Sequence, residues 1–219
     1  LPFFLVLKQP DLGTSLVFIA ILLGMMFVAG VNLRILAAGF AAGVAASPLL
    51  WLFLKDYQKM RLKVFLDPSV DPLGSGYHII QSKIAIGSGL IFGKGLFGGT
   101  QSQLNFLPEN HTDFIFAVVG EELGFVGAAA LLLLYLVVLW RGVKIARDAS
   151  DTFGRLLAVG ITSMLAFHVL VNVGMTTGIM PVTGIPLPLM SYGVSSLTTN
   201  LIAITILLNI HMRKAKFVF

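Results

Sequence analysis

The sequence predicts an all-α integral membrane protein: a polytopic helical bundle with one long extracytoplasmic loop containing short interfacial or re-entrant helices. Three observations predict it. Hydrophobic residues make up 57% of the 219-residue chain and charged residues only 11%, roughly half the charge of a soluble domain, and the mean hydropathy is +0.92. The apolar residues gather into runs of roughly 17–25, long enough to cross a hydrocarbon layer as helices. One connector, residues 55–122, is far longer than an ordinary helix–helix link. With no cysteine in the chain, a disulfide framework, a thiolate metal site and a cysteine nucleophile are excluded. A net charge of +5 would suggest nucleic acid in a soluble protein. Here the basic residues flank apolar runs, so anionic lipid and membrane orientation account for it, and no nucleic-acid partner is expected.

The elements follow in order within a single transmembrane domain, 1–219. Residues 1–7 (LPFFLVL) read as the end of a helix cut within the membrane, so the chain is expected to be a fragment. Spans are expected at 12–31, 35–54, 123–140, 156–177 and 193–210. Arg34 lies between the first two. Arg141, Lys144, Arg147 and Arg155 crowd the link between the third and fourth, and Arg213, Lys214 and Lys216 follow the last. An excess of Lys and Arg marks the cytoplasmic side, which puts the loop 55–122 outside the cytoplasm. Turn signals in LDPSVDPLGSG (66–76) open that loop's second half. The stretch 79–99 (IIQSKIAIGSGLIFGKGLFGG) is apolar but broken by Lys83, Lys94 and repeated glycine. It is expected to lie in the interface or to re-enter against protein rather than to span.

The chemistry-bearing residues concentrate in PENHTDFIFAVVGEELG. Thr112 or Asp113 is placed to cap a helix beginning at Phe114, a purely structural role. With Glu109 and His111 beside it and apolar residues beyond, Asp113 equally suits a general base of raised pKa. Glu121 and Glu122 stand at the mouth of the next span, either functional or paired with Lys or Arg. Asp11, in KQPDLGT, is a second candidate whose plainer reading is again a helix cap. The basic cluster KDYQKMRLK (55–63) anchors the loop to lipid headgroups or holds a lipid pyrophosphate, with Arg61 the better bidentate partner. His168 and Asn172, four apart, read as interhelical hydrogen bonding, and the four scattered histidines give no metal-binding pattern. PVTGIPLPLMSYG (181–193) cannot be a straight helix. It forms either a rigid connector or part of a substrate cavity.

KQPDLGT, FLPENHTDFIFAVVGEELG and GIPLPLMSYG, in this order and with this topology between them, resemble the SEDS family of peptidoglycan polymerases. GTQSQLNFLPENHTDF is similar to its rod-shape (RodA) branch rather than the division (FtsW) branch. The resemblance covers the whole chain but only the C-terminal part of family members, from within the fifth span onwards, so the fragment alone is expected to be inactive. It implies a glycosyltransferase of the bacterial inner membrane that polymerises lipid II, with an extracytoplasmic catalytic loop and Asp113 as the base that deprotonates the acceptor's 4-hydroxyl. Asp11 matches a second family acid that shapes the cavity or holds a divalent cation, Mg or Mn; no protein metal site is otherwise expected. Substrate contacts are expected among Asp11, Arg61, Lys94, Gln101, Glu109, His111, Thr112, Glu121, Ser191 and Tyr192. The implied partners are a class B penicillin-binding protein, which is a transpeptidase, and other membrane proteins of the elongation complex. The family's usual SYGG reads Ser191–Tyr192–Gly193–Val194 here, which puts the local backbone in question. A lipid II flippase and a non-catalytic elongation scaffold are the competing functions. A flippase would need polar groups along a path through the bilayer, whereas the acids here sit almost wholly on one side.

Overall fold

Apolar helices with few internal charges satisfy their own backbone groups, and among the described residues the regular structure is helical throughout. The computed structural model describes residues 2–9, 11–72, 74–104 and 106–214. Pro10 and Lys216, used above, lie outside the described residues. The helices are α1 (Pro2–Lys8), α2 (Leu12–Val28), α3 (Leu33–Phe53), α4 (Asp56–Leu66), α5 (Ser75–Ser88), α6 (Thr100–Gln103), α7 (Ile115–Asp148), α8 (Thr152–Thr177) and α9 (Val194–Lys214), with a 3-10 turn at Pro68–Val70. Helices α7, α8 and α9 are long and apolar enough to cross a membrane, whereas the apolar stretches of α2 and α3 are shorter, Gly13–Val28 and Leu33–Ala46. Helix α2 stops at Val28, short of the expected limit, whereas α7, α8 and α9 run past the hydrophobic limits read from sequence. Helix α7 continues beyond Trp140 through Arg141, Lys144 and Arg147, because a helix needs apolar residues only where lipid surrounds it.

Helix α8 is the central post. It packs against α2, α5, α7 and α9, and small residues let them come close. A methyl on Gly24 of α2 would meet Ser163, and one on Gly142 of α7 would meet Thr162. At one end of the bundle Ala146, Ala149, Ala158, Ile161, Leu165, Ala203, Leu207 and Ile210 form an apolar core, close to the basic α7–α8 link. The opposite end holds the starts of α2 and α9, the break in α7 and the long loop. The outer face of α7 (Leu133, Leu134, Leu136, Val137) is exposed, as a lipid-facing surface requires.

The long loop is fastened to α7 through an interrupted helix. Gly124 adopts φ 65°, ψ −164° inside α7, which ends the half-helix from Ile115 and starts the spanning part. An unbroken helix would bond the 125 and 126 amides to the 121 and 122 carbonyls. Here Phe125 N donates to Leu90 O (2.9 Å) and Val126 N to Ile91 O (3.1 Å), while Lys94 N donates to Glu121 O (3.0 Å) and Gly95 N to Glu122 O (2.9 Å). The second half of the 79–99 stretch is therefore a hook that replaces, bond for bond, what the break removes. Close approach of the two backbones requires glycine. A methyl on Gly89 would overlap the Gly120 carbonyl, and one on Gly124 would lie 2.7 Å from the Ile91 oxygen.

Gly124→Ala must place a side chain at positive φ and against that oxygen. It is expected to lower stability by at least about 2 kcal/mol in detergent unfolding. Gly87→Ala, with no atom within 4 Å of the added methyl, is expected to be neutral or to stabilise by up to about 1 kcal/mol as a helix substitution. Equal effects from the two would contradict the bond-for-bond replacement.

Candidate active site

The segment before α7 folds as a tight turn, not as a capped helix. Glu109 has φ 53°, and its carbonyl accepts from Thr112 N and Phe114 N, both at 3.2 Å. Thr112 Oγ1 turns back to Glu109 Oε2 at 3.1 Å. Phe114 occupies the N-cap position of α7 with no side-chain cap bond, so neither Thr112 nor Asp113 caps the helix. Among the described residues the Asp113 carboxylate makes no hydrogen bond or ion pair. Burial first, and then the negative charge of Glu109, hold its pKa above the usual carboxylate value, with Arg61 and His78 pulling the other way.

The proline-rich loop 181–192 forms the wall facing Asp113. Gly184, at φ +77°, turns its back on the carboxylate, so that a methyl there would sit 3.3 Å from Asp113 Oδ2. Arg61 reaches over from α4 to donate from Nη1 to Thr183 O at 3.4 Å, and Gly13, in the first turn of α2, packs on Thr183 and Ile185. Arg61, Asp113 and the start of α2 thus converge on residues 183–185. Polar bolts fix this wall to the Asp113 turn. Asn172, fully buried in α8, donates through Nδ2 to Asp113 O (2.9 Å) and Ile185 O (2.8 Å). Ser191 Oγ donates to Thr112 O (2.6 Å) and accepts from Leu187 N (2.7 Å). Tyr192 N donates to His111 O at 2.8 Å.

The remaining sequence candidates fall into distinct settings. His111 and Tyr192 contribute backbone groups to the bolts, and the Tyr192 side chain is 78% exposed. Glu109 is exposed beside Asp113. Lys94, Gln101 and Glu121 form a separate, closed cluster. Glu121 is 0% exposed and receives six donors: Lys94 Nζ, Thr100 N and Oγ1, Gln101 N, and Ser102 N and Oγ, at 2.8–3.2 Å. Six donors thus engage this carboxylate, and Glu121 with Lys94 forms a structural clamp; Gln101 Oε1 is buried without a partner. Asp11 caps α2, accepting from Thr14 N (2.9 Å) on one oxygen and Thr14 Oγ1 (2.6 Å) on the other. Each oxygen thus accepts one bond, and among the described residues no group of three or more His, Cys, Asp or Glu side chains able to hold a metal is found. Val194 begins α9 and is 76% exposed, so its side chain does not disturb the loop.

His78 was not singled out from sequence, where only its isolation from other histidines was apparent. Its ring stacks on Phe114 (centroids 6.0 Å apart, interplanar angle 12°), the residue that follows Asp113. The signal that finds it is helical spacing with Ser82 and the buried Ala85 on the inner face of α5. At the far end of the bundle a cavity of about 540 Å³ is lined by apolar residues with Thr162, Ser163, Arg147 and Arg155, and no acid lines it.

Asn172→Leu fills a similar volume but leaves the Asp113 and Ile185 carbonyls without their donor. A loss of about 2–4 kcal/mol is expected from two unmade buried hydrogen bonds, read as a lowered unfolding midpoint. A midpoint within experimental error of the parent would show that the bolts do not hold the wall.

Comparison with known proteins places the chain in a family. The FtsW/RodA/SpoVE cell cycle protein model matches residues 1–216. The peptidoglycan glycosyltransferase MrdB of Escherichia coli K12 is 51% identical over 215 residues, which is 98% of this chain and 58% of that protein. The peptidoglycan glycosyltransferase RodA of Treponema pallidum is 40% identical over 286 residues, 98% of this chain and 66% of that one. A structure described as the structural coordination of polymerization and crosslinking by a peptidoglycan synthase complex superposes with TM-score 0.78 at 38% identity, covering 97% of this chain and 59% of the other. The crystal structure of the Thermus thermophilus rod shape determining protein RodA gives TM-score 0.63 at 34% identity, covering 97% and 53%. The chain spans about 58% of the length of its MrdB relative. A family match across nearly every residue, joined to the same membrane-helix architecture, makes this chain a member of the FtsW/RodA/SpoVE (SEDS) family.

Proposed function

We propose that this chain forms the catalytic half of a peptidoglycan glycosyltransferase, a glycan-strand polymerase for cell elongation and rod shape. The observation that carries the reading is Asp113: a half-buried carboxylate with no donor, released from helix capping and held above its ordinary pKa. A general base works best when its pKa approaches the operating pH, and an unpaired carboxylate keeps both oxygens free for a substrate proton. In this reading Asp113 takes the proton from the 4-hydroxyl of an acceptor GlcNAc. That oxygen attacks the anomeric carbon of the MurNAc of lipid II, and undecaprenyl pyrophosphate departs. Single displacement inverts the α-linked donor to a β-1,4 bond. The diphosphate is already a good leaving group, so a base and nearby cations suffice; Arg61 is the cation next to Asp113.

The positive-inside rule orients the reading. Arg34 and the basic α7–α8 and α9 ends face the cytoplasm, and Asp113 lies at the outer face of the bacterial inner membrane. A class B penicillin-binding protein is the partner we propose, alongside other elongation-complex membrane proteins. Its support is the related structure of polymerization and crosslinking by a peptidoglycan synthase complex.

The test is Asp113→Asn in the full-length protein, reconstituted with lipid II. Glycan polymerisation is expected to fall by at least about 10³-fold, within the range for loss of a positioned base. Stability is expected to move the other way. A carboxyl whose folded pKa is raised binds protons more readily in the native state than in the unfolded one. Its ionisation therefore costs stability as pH rises from the unfolded pKa through the folded one, and the cost persists at neutral pH. The amide removes that cost, so the unfolding midpoint at pH 7 should hold or rise. Polymerisation at the parental rate would remove the assigned base, and lipid II translocation unaffected by the change would favour a flippase.

A further inference from the structure

We propose that His78 donates a hydrogen bond from Nε2 to an oxygen of the sugar-diphosphate substrate bound beside Asp113. This rests on the glycosyl-transfer reading above.

The ring is held from several directions. Helix α5 starts in a turn where Asp71 Oδ2 accepts from Ser75 N at 2.8 Å. One helical turn after His78, Ser82 Oγ donates to Thr176 O of α8 at 2.7 Å. The imidazole lies flat on Phe114, and Tyr77 meets it edge-on at 6.4 Å and 74°. Phe114 is itself buried in a core with Ala85, Leu107 and Ala117. Backbone and ring plane are thus fixed before any substrate arrives.

That placement decides where the proton sits. Nδ1 is buried and meets no hydrogen-bond partner. A proton there would be a buried donor without an acceptor, at a cost of about 1–3 kcal/mol. The neutral imidazole therefore carries its proton on Nε2, the nitrogen that is not closed off, and the described residues offer that N–H no acceptor. A fixed donor beside a free carboxylate forms a pair with divided work. Asp113 accepts a proton from one substrate hydroxyl, and His78 holds a neighbouring oxygen so that the hydroxyl faces the carboxylate. Arg61, on the other side of Asp113, already donates to Thr183 O.

Three substitutions separate this role from packing. The side-chain amide of His78→Gln reaches the position of Nε2, that of His78→Asn reaches only Nδ1, and His78→Phe keeps the stack on Phe114 with no donor. In lipid II polymerisation by the reconstituted full-length protein, His78→Phe and His78→Asn are expected to lower kcat/KM about tenfold or more, the worth of one substrate hydrogen bond. His78→Gln is expected to stay within about threefold of the parent. A parental rate for His78→Phe would show that the ring only packs. Retention by His78→Asn but not His78→Gln would show that the other nitrogen faces the substrate. Either result overturns the proposal. If His78→Phe fails to fold, the ratio of the Gln and Asn variants decides alone. Asp113→Asn in the same assay tests the base independently: a loss there with a parental His78 series would sink this inference and leave the base in place.

Discussion

The geometry of the site depends on four backbone hydrogen bonds that a helix gives up at Gly124 and a glycine hook returns. A break inside an apolar helix strands two amides and two carbonyls, and in a medium without water each costs several kcal/mol. Leu90 O, Ile91 O, Lys94 N and Gly95 N meet those groups at 2.9–3.1 Å. The break therefore persists as a defined bend instead of closing into a straight rod. Its consequence is positional. The half-helix from Ile115 is freed from the spanning axis of α7, and the turn that precedes it sets Asp113 against the 181–192 wall.

That wall raises a second problem of polar satisfaction. Its three prolines, Pro181, Pro186 and Pro188, give it rigidity but remove amides, so its carbonyls must find donors elsewhere. Side chains from neighbouring helices supply them. Tyr135 of α7 donates to Pro188 O at 2.6 Å, Asn172 of α8 to Ile185 O, and Arg61 of α4 to Thr183 O. Three elements far apart in sequence thus define one extended segment. An aspartate facing it is held at fixed distance from a surface that does not itself offer a donor to its carboxylate.

Much of this was legible in the sequence, and the limits are physical. The all-helical membrane class followed from composition. Even the α7 break left a trace, because the span was expected to begin at Leu123, where the acids stop, one residue before Gly124. The hook was not legible, since it is built from backbone-to-backbone bonds between glycine-rich stretches about thirty residues apart that carry no side-chain signature. Asp113 and Asp11 illustrate the opposite case. Each precedes an apolar run, so local pattern gives both the same two meanings. Tertiary context separates them: Thr14 satisfies both oxygens of Asp11, whereas Glu109 draws Thr112 and Phe114 into a turn that turns Asp113 out. His78 was illegible for a related reason. Its importance lies in the ring on which it stacks, thirty-six positions away.

Glu121 and Asp113 show how one short segment gives two carboxylates opposite fates. Both come from PENHTDFIFAVVGEELG, and both lie beside apolar helix. Glu121 is wholly buried, which alone would drive it to neutrality, but six donors surround it and one is the Lys94 ammonium. Hydrogen bonds to the charged form and an adjacent cation offset desolvation, and the carboxylate becomes a clamp that fixes α6 to α7. Asp113 is less buried, and among the described residues its carboxylate accepts no hydrogen bond and has Arg61 nearby without an ion pair. A fold selected for stability alone would have given such a group a partner, as it did eight residues later, or replaced it with an uncharged residue. Leaving it unpaired beside a rigid wall, with Glu109 adding repulsion, costs stability and yields nothing structural in return. In the function we propose, that cost has a use: a substrate hydroxyl with a proton to lose is a partner suited to a free, half-desolvated carboxylate.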